Sequence, residues 1–196
     1  MRHSIRFIPS LVAILCSGLV VPLAMADNDR PNRRHHVQAR LSGFNEVHFS
    51  GGPPATLRGA VSTRASGTFT ANIDERDEII HYELRYQDLE GEVTQGHIHF
   101  GQRHTVGGIV VWLCQTEGTP APDEVADVTP LCPDEGTVTG TITPAQVLTA
   151  TGQGLDAEEF DELVRAIRAG SAYVNVHSSL FPPGEIRGHI GGRQDD

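Results

Sequence analysis

The chain has 196 residues and a formal net charge of −10 at pH 7; its 15 basic side chains, all arginine, face 25 acidic ones. That balance excludes the usual electrostatic route to nucleic acid or to an anionic membrane surface. The length suits one domain with a substantial core. Arg2 and Arg6 precede an apolar run from Leu11 to Leu23, and Ala24-Met25-Ala26 follows as a small-x-small site, so residues 1–26 read as an export signal. The run is too short for a comfortable membrane span. Cys16 follows Leu15, where a lipidation signal requires a small residue, so no lipid anchor is expected. The expected mature chain starts at Asp27 in the periplasm or outside the cell, with no membrane anchor. It keeps 13 arginines against 25 acidic residues, a net −12, and nine histidines.

Residues 27–36, DNDRPNRRHH, read as a polar lead-in in which His35 and His36 are solvated or bind metal weakly. VQARL (37–41) alternates and starts the first strand, and a turn-rich connection containing His48 follows. In GTFTANID (67–74), Phe69, Ala71 and Ile73 share a face; after the ERDE turn, residues 78–89 set Ile80, Tyr82, Leu84 and Tyr86 on one face and His81 on the other. These two segments form a hairpin, with His48 and His81 structural or solvated. EVTQGHIHFG (92–101) is a strand. GGIVVWLC (107–114) is continuously apolar, which predicts burial on both sides. GTVTGTIT (136–143) is a further strand. Thr143-Pro144 then offers an N-cap and a first-turn proline, predicting a short helix over PAQVLTA.

Asp156 is the expected cap of the helix DAEEFDELVRAIRAG, in which Phe160, Leu163, Val164 and Ile167 fall on one face and Gly170 supplies the stop. SAYVNVHSS and GEIRGHI close the chain as two strands around Phe181-Pro182-Pro183-Gly184, and residues 192–196 form a tail. Short strands, turns between them and one helix in the C-terminal half predict a mainly β fold, an antiparallel Greek-key sandwich or barrel. Cys114 and Cys132, the two cysteines left after cleavage, read as a disulfide in an oxidising compartment; a pair of metal thiolates is the competing reading.

Chemistry is concentrated in two distant segments. Successive strand side chains point to opposite faces, so His97 and His99 share one face. In the later segment Tyr173, Asn175 and His177 share a face opposite Val174 and Val176, and Glu185, Arg187 and His189 share another. Should the fold bring the segments together, three or four imidazoles converge on one ion. His177 is the expected third ligand, His189 the next, and His104 a fourth ligand or a proton donor. Neutral imidazole suits Zn, Cu, Fe and Ni.

The pieces LSGFNEV, GHIHFGQ with GGIVVWLC, GTVTGTIT and RAGSAYVNVHSSLFPPGEIRGHI resemble the CHRD domain, named after chordin and found in many exported bacterial proteins. The resemblance covers residues 37–191 and implies an immunoglobulin-like or superoxide-dismutase-like sandwich. The family commonly shows Gln where this chain has His189, so that position either adds a ligand or leaves a polar neighbour. GHIHFG is also similar to the His-x-His metal strand of copper/zinc superoxide dismutases. Two functions are therefore expected. One is a redox enzyme, foremost a superoxide dismutase, with Fe or Cu favoured over Zn, superoxide as its small anionic substrate and Arg187 or Arg103 guiding it. The other is a non-catalytic binding module that carries metal for structure or storage or meets an extracellular partner. Homo-oligomerisation is compatible with either.

Overall fold

The computed structural model describes residues 34–47, 49–50, 56–57 and 59–192. The export signal, most of the lead-in, His48 and the tail from 193 lie outside them. The strands are β1 (Arg34–Ser42), β2 (Phe49–Ser50), β3 (Thr56–Leu57), β4 (Ser66–Asp74), β5 (Ile79–Gln87), β6 (Val93–Phe100), β7 (Gly108–Cys114), β8 (Gly136–Ile142), β9 (Ala172–Ser178), β10 (Ile186–His189) and β11 (Gly191–Gly192). Two α-helices, α1 (Asp123–Ala126) and α2 (Phe160–Arg168), and two single 3₁₀ turns complete the described elements.

One antiparallel sheet runs β7-β6-β9-β10-β1-β4-β5-β8, with β11 beside β1, and β2–β3 form a separate pair. The sheet curls until its two edges approach each other, giving a nearly closed barrel. Polar groups bridge the remaining gap. The Tyr82 hydroxyl on β5 donates to the Leu113 carbonyl on β7 at 2.7 Å, and the Leu148 N–H donates to the Val110 carbonyl at 2.9 Å. Inside lie Phe69, Ala71 and Ile73 from β4, Ile80, Tyr82, Leu84 and Tyr86 from β5, and Ile98, Val111, Leu113, Val174, Val176 and Ile186 from the other half, with the α2 face Phe160, Leu163, Val164 and Ile167 packed on. The hairpin faces are those that the alternation predicts, and His81 is exposed, 3.2 Å from the Thr141 hydroxyl.

Four local expectations are corrected. β1 begins at Arg34, so His35 and His36 are strand residues opposite Ile73 and Asn72. The PAQVLTA helix is a single 3₁₀ turn, Pro144–Gln146, because Val147 turns extended and the Leu148 N–H goes to β7 instead of continuing a helix. Asp156 does not cap α2; its N–H is held by the Glu159 carboxylate at 2.9 Å, and the helix starts at Phe160. β7 is an edge strand whose Ile109 and Trp112 are half-buried, so its apolar run does not mean burial on both faces.

Cys114 and Cys132 form a disulfide. It pins the 115–131 excursion, including α1, to the end of β7. On the chain-entropy model a loop of this size is worth about 3 kcal/mol. Gln115 organises the excursion from within: its amide donates to the Ala126 and Thr129 carbonyls, each at 2.7 Å, and its oxygen accepts from Ala121 N–H at 2.8 Å. Among the described residues no helix is long and apolar enough to cross a membrane. The disulfide fits an exported protein.

Candidate metal centre

The centre lies on the outer face of β6, β9 and β10. Each of these strands gives its other face to the barrel core, through Ile98, Val174, Val176 and Ile186. Side chains directly opposite each other on paired strands share a face, and the register sets two rows, His97–Asn175–Arg187 and His99–Tyr173–His189, with His177 next along β9 opposite Gln95. Irregular pairing with β7 on either side of His97 and Ile98 sets His97 opposite Trp112, whose ring meets the imidazole edge-on at 4.2 Å.

Ring nitrogens of His97, His99 and His177 lie within 4.8 Å of one another. His97 Nδ1 is 3.2 Å from His177 Nε2. Two nitrogens on one tetrahedral ion, each bonded at about 2.0–2.1 Å, stand about 3.3 Å apart. The outer nitrogens of two rings are fixed: Nδ1 of His99 is 3.0 Å from the Gly107 carbonyl and Nδ1 of His177 is 2.8 Å from that of Pro182. Each carbonyl requires N–H at that nitrogen, which leaves Nε2 with its lone pair, the tautomer a metal ligand needs. Nε2 of His97 and of His99 are buried and have no hydrogen-bond partner.

Burial is nearly complete, with relative exposures of 0% for His97, 7% for His99 and 6% for His177. Desolvation drives the His97 pKa well below its ordinary value, helped by the two neighbouring imidazoles. It takes His99 down to about 4, against the opposing pull of the Gly107 carbonyl. Both of these rings are thus neutral donors at neutral pH, and the set of three could hold a metal ion.

The other predicted residues stand around this group. His189 is outside the trio, its ring 5.5 Å from that of Tyr173 and its Nε2 3.2 Å from Arg187 Nη2. Arg187 lies over the Tyr173 ring, Cζ 3.3 Å from the centroid, and donates to the carbonyls of Thr105 at 2.8 Å and Gln102 at 3.2 Å. Tyr173, on the strand between β6 and β10, stacks on His99 with centroids 4.7 Å apart and so stands between Arg187 and the trio. Arg187 does not pair with Glu185, whose carboxylate instead accepts from the Thr63 and Ser178 hydroxyls and the Glu90 N–H. His104 and Arg103 are exposed in the loop after β6.

Two further residues escaped the sequence reading. Glu46 is buried and accepts from Asn175 Nδ2 at 2.5 Å, fixing the cross-strand neighbour of His97. Gly184, at φ 132°, makes room for that pair, since a Cβ there would lie 2.5 Å from Asn175 Nδ2 and 2.6 Å from Glu46 Oε2. Their signal was present in LSGFNEV and PPGEIRG, but only the fold joins those segments.

The family model for the CHRD domain matches residues 37–190. The chain belongs to the CHRD domain family. No curated protein and no solved structure matches it. The match runs from within β1 through the end of β10, so the three histidines belong to the CHRD domain itself and not to an appended segment.

Proposed function

We propose that this CHRD domain is an exported metal-binding module in which His97, His99 and His177 hold one transition-metal ion. The observation that carries the reading is the pair of buried, partnerless Nε2 atoms on His97 and His99, set beside His177. A buried polar atom left unpaired costs about 1–3 kcal/mol, and a bound cation removes that cost at the one nitrogen it takes from each ring. The donor set, neutral nitrogen without thiolate or carboxylate, suits Cu, Fe or Zn.

A copper or iron ion held there would supply one-electron chemistry of the kind that disproportionates superoxide, whereas zinc would supply structure alone. The chain's own residues favour holding over turnover. The rings are covered, and the Arg187 guanidinium is spent on loop carbonyls behind Tyr173. Metal carriage is therefore the primary reading and superoxide dismutation the secondary one.

Metal analysis and calorimetric titration of the exported protein test the proposal. Binding of one Cu, Fe or Zn ion per chain by the wild type, abolished in His97→Ala/His99→Ala, is the expected result. Equal uptake by the double variant would defeat it. Superoxide loss no faster with the loaded wild type than with the double variant would remove the secondary reading.

A further inference from the structure

We propose that residues 101–107, GQRHTVG, form a strap closed over the histidine centre, and that Arg187 and Tyr173 are positioning residues that latch it and thereby orient His99. The inference rests on the metal-binding reading for its consequence, though not for its geometry.

The strap joins β6 to β7 and has little apolar anchorage. Residues 102–106 are all exposed, and its one large hydrophobe, Val106, is 54% exposed. A segment held by few apolar contacts opens at low cost, so the polar bonds at its base decide whether it stays down. Those bonds converge on the site. Gly107 is tied at both backbone groups: its carbonyl receives His99 Nδ1 at 3.0 Å, and its N–H donates to the Tyr173 hydroxyl at 3.2 Å. Arg187, only 1% exposed, donates to the carbonyls of Gln102 and Thr105 and so spans the strap's turn. Among the described residues it forms no ion pair with a carboxylate. A buried cation is normally paired; here strap carbonyls and the Tyr173 ring face serve instead.

Arg187, Tyr173 and His99 therefore form one continuous stack, with guanidinium on phenol and phenol on imidazole, and the strap is bonded to each of the three. Gly107 can occupy this place only without a side chain, because a Cβ there would lie 1.8 Å from the Phe100 carbonyl oxygen. Releasing the latch frees Gly107, and with it the bond that keeps His99 Nδ1 protonated and Nε2 turned inward. The latch thus sets how fast metal leaves and how rigidly His99 is held.

The test uses Tyr173→Phe, which keeps the stack but loses the acceptor of the Gly107 N–H, together with Arg187→Ala and Arg187→Lys. Amide exchange at Gly107 is read in metal-free protein, and release of Zn²⁺ or Co²⁺ to excess EDTA is read in loaded protein. The expected result for Tyr173→Phe and Arg187→Ala is a rise of about ten-fold or more in both rates, with the Ala71 and Tyr82 amides of the opposite half unchanged. Arg187→Lys should restore part of the protection, since an ammonium keeps the charge but cannot fork to two carbonyls. Folded variants with Gly107 exchange and metal release within about two-fold of wild type would overturn the latch. A wild type that binds no metal, yet shows latch-dependent exchange at Gly107, would sink the metal reading and support the latch.

Discussion

The two halves of the barrel use the same pleat differently. In β4 and β5 buried residues alternate with half-buried or exposed ones, and the outward rows are ordinary solvated surface, such as Arg40–Thr68–Arg85–Thr137. In β9 all seven residues are buried, although Tyr173, Asn175, His177 and Ser178 are polar or half-polar. The difference comes from what lies outside. Loops from 43–47, 101–107 and 181–185 cover the β6-β9-β10 face, while nothing comparable among the described residues covers β4-β5. A sheet face that is both polar and covered is expensive unless its groups are satisfied, and most of these are. Four of the five such nitrogens among the described residues lie here, on His97, His99, Arg187 and His189, and the fifth, His35 Nε2, sits 3.2 Å from the Glu75 carboxylate, so the unsatisfied nitrogens concentrate at the histidine centre.

The comparison breaks most sharply on metal affinity. Removing one imidazole of the trio by His99→Ala should lower it by about 100-fold or more. His36→Ala and His81→Ala, on the solvated half, should leave it unchanged. Competitive titration with a chromophoric chelator measures all three. A smaller effect is expected at Gly107, where alanine must displace the strap from the Phe100 carbonyl. Gly107→Ala should cost about 2–4 kcal/mol in urea unfolding. Gly118→Ala, whose new methyl group would meet no atom within 4 Å, should be near neutral.

The pH dependence of stability comes next. Unfolded histidines titrate near 6.5, whereas folded His99 resists protonation until about pH 4 and burial likewise holds His97 well below 6.5. The unfolded state therefore binds more protons below 6.5. The stability of the metal-free chain is full above that pH and falls towards pH 4, by about 1.4 kcal/mol per unit for each such histidine. Urea midpoints across this range should fall less steeply in His99→Gln, and equal slopes would contradict the assignment. Smallest of all, Thr70→Ala on the open face of β4 should change stability by no more than about 0.5 kcal/mol.

Alternation was enough to find the β4–β5 hairpin and its buried face, because one side is solvated and the other is core. It also placed His97, His99, His177, Arg187 and His189 on the correct faces. It did not say which column of the sheet each would join. His189 is paired with Tyr173, one strand beyond β6, so parity alone did not separate it from the ligand set. The roles of Arg187, Gly107 and Glu46 depend on loops folding back across the sheet, and no local spacing encodes that. The short helix after β8 failed for the same reason: Thr143-Pro144 is a sound start signal, but a backbone N–H needed by β7 ended the turn.

The most direct test of the central claim is anomalous diffraction from crystals of the Co²⁺- or Zn²⁺-loaded protein. The account predicts one strong peak bonded at about 2.0–2.1 Å to Nε2 of His99, Nε2 of His177 and a ring nitrogen of His97. A peak bound elsewhere, or none between these three rings at saturating metal, would contradict it.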